Sequence, residues 1–272
     1  MTKRVVITGM GIISPIGNDV PTFWKNLVDG VCGIDYIHDF PTDGLPVKIA
    51  GKIKDFHPEE HGMDKAFGRK QDRFTQYGVA AAYEAMNQAG LVSEGEGQNI
   101  DPFRLGVYVG SGIGGFEIQF RETVKMIEDP TGQWISPLFI PTMISNIAAG
   151  HIAIKHQAKG PCIDVVTACA TSTNNIGEAF RAIRHGYADA IIAGGCEGAT
   201  IPLGIAGFAN AKALSRAEDP KYASLPFNAN RAGFVMGDGA GILVLEELEH
   251  AKARGAKIYA EIVGYGNTCD AH

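Results

Sequence analysis

The order of the predicted elements assigns this chain to the α/β class, with a mixed β-sheet between layers of helices. Short β-branched segments alternate with segments whose apolar residues recur at helical spacing, and several strands run into glycine-rich turns. A second observation is an internal echo, since Val5–Gly11 and Ala260–Gly266 are both an apolar strand that runs into Gly-x-Gly. A true repeat would start a second half near residue 256, although seven residues can also match by coincidence.

The first third of the chain predicts one strand and two helices. Lys3 to Ile13 is rich in β-branched residues and predicts a strand that ends in a glycine-rich turn. Pro21 to Val28 predicts a short helix with its apolar residues on one face. Residues 31–63 contain three prolines and predict an irregular region, whereas Asp64 to Ala89 predicts one long helix.

The middle of the chain predicts two strands and two helices. Phe103 to Val109 is apolar and runs into the glycine-rich segment Gly110–Gly115, which predicts a buried strand followed by a turn. Phe116 to Ile127 predicts a helix, and Met143 to His156 predicts another that is rich in small residues. Cys162 to Thr167 is short and β-branched, which predicts a buried strand.

The last third continues the alternation and completes the α/β pattern. A helix is predicted after Cys169, with Ile176, Ala179, Phe180 and Ile183 on one face. The elements predicted after it are a strand at Ala188–Ala193, a helix at Pro202–Ala213, a loop at Asp219–Gly233, a strand at Ala240–Glu246, a helix at Glu247–Arg254 and a strand at Ala256–Val263.

Composition excludes several classes of protein. The 272 residues are 45% hydrophobic and carry a net charge of −6, which argues against a general nucleic-acid binder. No apolar run reaches the length of a membrane span, and no cleavage site of a signal peptide follows the N-terminal strand. The five cysteines form no CxxC pair, which indicates reduced thiols in a cytoplasm.

Two motif-like segments predict neither a nucleotide site nor a metal site. Thr8–Ser14 follows a strand, but it lacks the third glycine of the dinucleotide fingerprint, so a structural turn is favoured. His57 and His61 lie four residues apart, but Pro58 interrupts any helix that would place both on one metal ion. The sequence therefore predicts no metal site, and no cofactor is expected.

Cys169 is the residue that most clearly predicts chemistry. It lies where the strand of Cys162–Thr167 gives way to a helix, so it is predicted at a helix N-terminus. Free N–H groups and the helix dipole stabilise a thiolate there, and such a thiolate is a candidate nucleophile for acyl transfer. Most free cysteines are small buried hydrophobes, but the polar run Thr171–Asn175 argues against a dry core position.

Four basic residues, Lys65, Arg69, Lys70 and Arg73, form a stripe on the predicted long helix. Such a stripe is usually a solvated face, but on an acidic protein it can also attract an acidic partner. Lys212 is a further basic residue that would extend the patch if the fold brings it close.

Glycine-rich stretches at 110–115, 194–198, 204–207 and 233–241 are too many for ordinary turns, and they predict close backbone packing around a narrow pocket. The candidates for its apolar lining are Ile113, Phe116, Ile205 and Phe208, with plain core positions as the default.

Together these segments resemble the β-ketoacyl-[acyl-carrier-protein] synthases. The resemblance covers essentially the whole chain and is greatest to the elongating type II enzymes of bacterial fatty-acid synthesis. It rests on Thr167–Ser172 around the cysteine and on Val6–Gly11, Gly110–Gly115, Pro202–Gly204, Phe227–Asn228, Arg231–Phe234, Gly237–Gly241 and Leu245–Glu247, all in the order of the family.

The resemblance implies a thiolase-like fold of two similar halves in five αβαβα layers, and it implies roles for individual residues. Cys169 would accept the acyl group as a thioester, and its own backbone N–H would be one oxyanion donor. Ile113 matches the residue that gates the acyl pocket, and Phe208 is expected to line that pocket. Lys65, Arg69, Lys70 and Lys212 fall where family members meet the acidic carrier protein.

The resemblance further implies partners and a division of the chain. Expected partners are acyl carrier protein, acyl and malonyl thioesters, and a second copy that pairs through the strand at about Ala188–Ala193. Residues 1–255 would form the first half with the nucleophile, and residues 256–272 would begin the second. The family takes two histidines and a lysine from that second half, and His272 matches neither histidine. This chain by itself is therefore expected to be inactive in condensation.

Two functions remain open from the sequence. The first is a condensing enzyme that carries out a decarboxylative Claisen condensation in fatty-acid elongation. The alternative is a non-catalytic chain-length or scaffold partner of a polyketide-type condensing enzyme. Such partners usually lack the cysteine, so Cys169 favours the enzyme.

Overall fold

A computed structural model describes residues 2–271, so the prediction about His272 lies outside the described residues. The helices are α1 (Val20–Val28), α2 (Lys65–Lys70), α3 (Arg73–Ala89), α4 (Phe116–Glu128), α5 (Phe139–Met143), α6 (Ile147–Lys155), α7 (Thr171–Arg184), α8 (Pro202–Asn210) and α9 (Leu248–Ala253). The strands are β1 (Val5–Ile13), β2 (Asp35–Tyr36), β3 (Ile49–Ala50), β4 (Leu105–Gly110), β5 (Cys162–Ile163), β6 (Ala190–Glu197), β7 (Gly239–Glu247) and β8 (Ala260–Ile262).

Six strands form one mixed sheet in the order β5-β4-β6-β7-β1-β8, and β2 pairs with β3 in a separate ribbon. The pairs β5–β4 and β4–β6 are parallel, whereas β6–β7, β7–β1 and β1–β8 are antiparallel. In the register, Leu105 lies beside Ala190, and Ala190 lies beside Glu246. The predicted mixed α/β sheet is confirmed.

Helices cover both faces of this sheet. Helices α3 and α6 pack on one face, and α7 packs on the other. Five of the eleven buried residues of α3 are alanines, and its large buried side chains are Phe74, Tyr77 and Met86. Small side chains let the helix approach the strands closely, which excludes water from a wide area of apolar surface.

The glycines of β1 provide this close approach and do not form the predicted turn. Strand β1 continues to Ile13, through both Gly9 and Gly11. A Cβ atom on Gly11 would lie 1.9 Å from the carbonyl oxygen of Ala81 in α3, and one on Gly9 would lie 2.1 Å from that of Ala85. The Gly-x-Gly segment is therefore a contact between strand and helix and not a turn.

The long helix predicted at residues 64–89 is wrong, because the structure divides it into α2 and α3. Gln71 has extended backbone angles, with φ −92° and ψ 148°, and ends α2. Asp72 then caps α3, since its carboxylate accepts a hydrogen bond from the N–H of Phe74 at 3.4 Å. Its other oxygen accepts from the N–H of Ile118 at 3.0 Å, so one buried carboxylate holds the starts of α3 and α4.

Strand β5 is shorter and more exposed than the predicted buried strand. It comprises Cys162 and Ile163, both exposed, and it forms one edge of the sheet. Strand β6, in contrast, is hydrogen-bonded to β4 on one side and to β7 on the other. The expectation that a second copy pairs through Ala188–Ala193 is therefore wrong, because that strand has no free edge.

Two helical predictions differ in detail. The helix predicted at Met143–His156 is two helices, α5 and α6, separated at Ile144–Asn146. Helix α1 forms where predicted, but it has no buried residue in the described structure, so its apolar face is not a core face. No helix within residues 2–271 is both long enough and apolar enough to cross a membrane.

The end of the described chain returns to the same sheet. Strand β8 pairs with β1 in antiparallel register, with Val5 opposite Ile262. Beyond it, Tyr265 packs on α7, and a Cβ on Gly177 would lie 2.2 Å from the Tyr265 ring. The division at residue 255 stays a prediction.

Candidate functional site

A cavity of about 590 Å³ opens where strands of the sheet end beside α7, and it gathers three of the predicted site residues. Cys169, Ile113 and Phe208 all line this cavity. Members of the glycine-rich stretches at 110–115, 194–198 and 233–241 line it too, so those stretches do surround a pocket. The stretch at 204–207 does not contribute to the lining.

Cys169 lies on a sharp turn directly before α7. Ala168, Cys169 and Ala170 form one short 3₁₀ turn, and α7 begins at Thr171. Ala168 has φ +49°, in the left-handed region where a side chain costs roughly 1 kcal/mol or more. The structure therefore holds a strained backbone to place the Cys169 thiol, which is exposed, at the wall of the cavity.

The polar run after Cys169 holds this turn in place. Asn175 is fully buried, and its side chain accepts from the N–H of Val165 at 3.0 Å and donates to the Val165 carbonyl at 3.1 Å. The hydroxyl of Thr171 accepts from the N–H of Thr167 at 2.8 Å. Asn175 and Thr171 thus supply hydrogen-bond partners for backbone groups of Val165 and Thr167, which lie beyond the end of β5 and have no partner strand there. Apolar side chains at these two positions could not do so.

Ile113 lies on the loop between β4 and α4, and a carboxylate of β6 holds this loop. The Glu197 carboxylate accepts from the Ser111 hydroxyl at 3.0 Å and from the Gly112 N–H at 3.0 Å. The Ser111 hydroxyl accepts from the Gly114 N–H at 2.8 Å. The Ile113 side chain is 41% exposed and lies at the cavity wall.

An aromatic pair forms another part of the wall. Phe208 of α8 packs edge-to-face on Phe234, with ring centroids 5.4 Å apart. Phe234 was not among the predicted lining residues, although it lies in one of the glycine-rich segments. The two other candidates, Phe116 and Ile205, do not line the cavity and instead belong to the hydrophobic core beside α8, which agrees with the default expectation of plain core positions.

Two carboxyl groups line the cavity, the half-buried Glu197 and the buried Asp238, and sequence patterns did not reveal either of them. Burial raises the pKa of Glu197, and the Ser111 hydroxyl and Gly112 N–H partly oppose that rise. Burial also raises the pKa of Asp238, which accepts from the N–H of Thr200 at 3.0 Å. The signal that could have indicated both is an acidic residue inside an otherwise small and apolar glycine-rich segment.

The predicted basic stripe is only partly present. Lys65, Arg69 and Lys70 lie together on α2 and are exposed. Arg73 lies on α3 instead, where its guanidinium pairs with Glu117 at 3.1 Å and with Asp39 at 3.3 Å. The break between α2 and α3 therefore removes Arg73 from the stripe.

Lys212 is exposed in the turn that follows α8, with φ +58°. Within residues 2–271, no hydrogen bond or ion pair joins it to α2. Its membership of one basic patch with α2 stays a prediction.

The histidines within residues 2–271 do not converge on Cys169 or on a metal site. Among the described residues, no group of three or more His, Cys, Asp or Glu side chains could hold a metal ion. His61 stacks on Phe56, with ring centroids 5.3 Å apart, and burial lowers its pKa. Burial lowers the pKa of His156 to about 4, so this histidine is neutral at physiological pH.

Comparisons with known proteins agree with this geometry. Residues 2–251 match the family described as beta-ketoacyl synthase, N-terminal domain. The chain is 51% identical over 271 residues to 3-oxoacyl-[acyl-carrier-protein] synthase 2 of Staphylococcus aureus (strain COL), covering 99% of this chain and 64% of that protein. It is 49% identical over 271 residues to the protein of the same name from Vibrio cholerae, with the same coverage of each chain. The chain thus spans about 64% of the length of these curated relatives.

Solved structures show the same likeness. A beta-ketoacyl synthase from Burkholderia phymatum STM815 superposes with a TM-score of 0.87 at 33% identity, over 99% of this chain and 65% of that one. A type II polyketide ketosynthase, solved in complex with its acyl-carrier protein, superposes with a TM-score of 0.84 at 29% identity, over 100% of this chain and 65% of that one.

Proposed function

Because the chain belongs to the β-ketoacyl synthase family, we propose that its protein is a 3-oxoacyl-[acyl-carrier-protein] synthase of fatty-acid elongation. The observation that carries this proposal is the turn of Cys169, which presents a thiol to a cavity of about 590 Å³ with the apolar Ile113 at its wall. An acyl chain needs such a cavity, and a covalent thioester needs such a thiol.

In the proposed first step, the Cys169 thiolate attacks the carbonyl carbon of an acyl thioester. The carrier's thiol leaves with the proton, and the acyl group stays on Sγ. The N–H of Cys169 is one donor for the tetrahedral oxyanion, because it precedes α7 and no acceptor within residues 2–271 engages it. The acyl chain extends past Ile113 toward the aromatic pair of Phe208 and Phe234.

In the proposed second step, malonyl thioester loses carbon dioxide, and the resulting enolate attacks the carbonyl carbon of the acyl–Cys169 thioester. The new carbon–carbon bond forms as the carbon–sulfur bond breaks, which releases the β-ketoacyl carrier and the free thiolate. By family resemblance, two histidines and a lysine of the second half assist this step. Within residues 2–271, no histidine lines the Cys169 cavity, which supports assigning them to that half.

We further propose that α2 binds acyl carrier protein through Lys65, Arg69 and Lys70. Helix α2 presents these three cationic side chains to solvent. A carrier protein of opposite charge would gain both on-rate and orientation from them. Lys212 is the fourth residue of this proposed surface, and the solved polyketide ketosynthase shows that a related enzyme does bind its carrier.

A homodimer is also proposed, now through β5 in place of the strand first expected. Strand β5 lies at the edge of the sheet, and Ile163 and Val166 beside it are exposed apolar residues. A second copy would pair with this edge and cover those side chains. Light scattering tests this: Ile163→Asp should yield monomers, and an unchanged dimer would place the interface elsewhere.

Two further assignments stay proposals of the same kind. Residues 1–255 form the first half and residues 256–272 begin the second, which the echo at Ala260–Gly266 supports. A cytoplasmic location is supported by the five cysteines, all of which are free thiols.

The experiment is to incubate the protein with acyl carrier thioester and to locate the acyl group by mass spectrometry. The acyl group should be found on Cys169, and Cys169→Ala should abolish acylation, whereas the matched exposed-thiol variant Cys32→Ala should retain it. Cerulenin should protect the same residue from acylation. Acylation that persists in Cys169→Ala would contradict the proposal, and a protein that binds carrier without any acylation would favour the scaffold alternative.

A further inference from the structure

The loop that carries Ile113 is held before that residue by the Glu197 carboxylate and after it by the Ser111 hydroxyl. Glu197 ends β6, and its two oxygens accept separate hydrogen bonds from Ser111 and Gly112, each at 3.0 Å. The Ser111 hydroxyl, which donates to Glu197, also accepts a hydrogen bond from the N–H of Gly114 at 2.8 Å. The backbone before and after Ile113 is therefore held by two side chains, Glu197 and Ser111, that are hydrogen-bonded to each other.

The serine of this network is buried, whereas Glu197 is half-buried. Ser111 is 1% exposed, so its hydroxyl has no water to replace Glu197 as an acceptor. A Cβ on Gly112 would lie 3.0 Å from Glu197 Oε2 and 3.1 Å from the carbonyl oxygen of Ala168. The loop thus packs directly on the residue that precedes Cys169, and the position of Ile113 is tied to the position of the thiol.

A role for Glu197 as the base that deprotonates Cys169 is disfavoured by the same contacts. Both carboxylate oxygens already accept hydrogen bonds from the loop, and the donors there are a hydroxyl and a backbone amide. A carboxylate that took the thiol proton would have to give up part of this network.

We propose that Glu197 is a positioning residue that sets acyl-chain selectivity, acting through Ser111 on the loop that carries Ile113. This inference rests on the proposed function, in which the cavity receives the acyl chain. While the carboxylate holds the loop, a long chain must displace Ile113 against fixed backbone. When the carboxylate is removed, the loop moves more freely and the penalty on long chains falls.

The test uses Glu197→Gln and Ser111→Ala in the otherwise intact protein, with Glu128→Gln on α4 as the matched control. The measured quantity is kcat/KM for transfer of short and long acyl groups from carrier protein to the enzyme. The side-chain amide of Glu197→Gln has one acceptor oxygen where the carboxylate has two, so it loses at least one of the two hydrogen bonds from the loop. Ser111→Ala removes the hydroxyl that donates to Glu197 and accepts from the Gly114 N–H. The ratio of long to short kcat/KM should rise about fivefold, through KM for the long primers, and the control should keep the wild-type ratio.

A cooperative thermal unfolding transition verifies that each variant is folded. If Glu197→Gln does not fold, Ser111→Ala decides the question, because it leaves the carboxylate in place. A ratio that stays at the wild-type value in the folded variants overturns the inference, whatever their stability. Wild-type protein that accepts no acyl group at Cys169 would instead refute the proposed function, so the two failures are distinguishable.

Discussion

Asp72 makes the stability of this protein depend on pH in a calculable way. It is 3% exposed, and burial raises its pKa from 3.8 to about 6, although it accepts hydrogen bonds from Ile118 and Phe74. Below pH 3.8 the group is protonated in both the folded and the unfolded chain, so it has no effect. As the pH rises toward 6, the unfolded chain ionises first, and the folded state loses stability. The full loss is about 3 kcal/mol, since one pKa unit corresponds to about 1.4 kcal/mol.

The perturbation is Asp72→Asn, which removes the titration and keeps one acceptor oxygen. The assay is urea denaturation of the wild type and the variant between about pH 4.5 and about pH 7.5. Over that range the free energy of unfolding of the wild type, relative to the variant, should fall by about 2 kcal/mol. Taking the difference cancels the other groups that titrate in both proteins.

Asp129→Asn is the control with the opposite sign. Hydrogen bonds, first from the Thr131 hydroxyl and then from Gln133, lower the pKa of this exposed carboxyl. Its stabilising contribution is therefore present above its ordinary pKa and is lost as the pH falls. A wild-type curve that runs parallel to the Asp72→Asn curve would refute the reasoning, because it would mean that the folded protein accommodates the Asp72 charge at no cost.

Three further predictions test the fold and the site. Ile113→Phe should reduce acyl transfer from long primers by about tenfold or more while short primers are still used, because a packed wall cannot absorb the added ring without strain; equal loss for all primers in a primer-length assay would indicate misfolding instead. Reversing Lys65 and Arg69 to Glu should weaken carrier binding in calorimetry about tenfold or more at low salt, with little difference at high salt, and equal affinity would make α2 only a solvated face. Gly11→Ala should leave little soluble protein, since the added Cβ would overlap the backbone carbonyl of Ala81. The control Gly150→Ala in α6 should be tolerated, because a Cβ there meets no atom closer than 3.9 Å. Soluble Gly11→Ala protein of wild-type stability would contradict the packing described for β1.

Local patterns in the sequence sufficed for the fold class and for the centre of the site. Alternation of strands and helices reports which residues face a core, so most elements formed where predicted. Cys169 was recognisable because the change from a β-branched segment to helical spacing is itself local. Ile113 was recognisable because it interrupts a glycine-rich turn, and resemblance to a family added its expected role.

The errors share one physical cause, which is that they concern neighbours distant in the chain. Helical spacing continues smoothly across Gln71, and only the contact between Asp72 and Ile118 shows why the helix breaks there. A buried and an edge strand can have the same β-branched composition, so only the pairing showed that Ala188–Ala193 has no free edge and that β5 has one.

Composition and periodicity thus determined the class of fold and the candidate nucleophile, because both depend on residues adjacent in the chain, whereas the gating role of Ile113 came from the resemblance to a family. The tertiary structure alone decided that Glu197, 85 residues beyond Gly112, holds the loop of the gate. It alone decided that Gly11 is a contact with α3 and not a turn. A hydrogen bond or a close backbone contact across such a separation leaves no periodic trace in the sequence, since it depends on the three-dimensional path of the chain between the two residues.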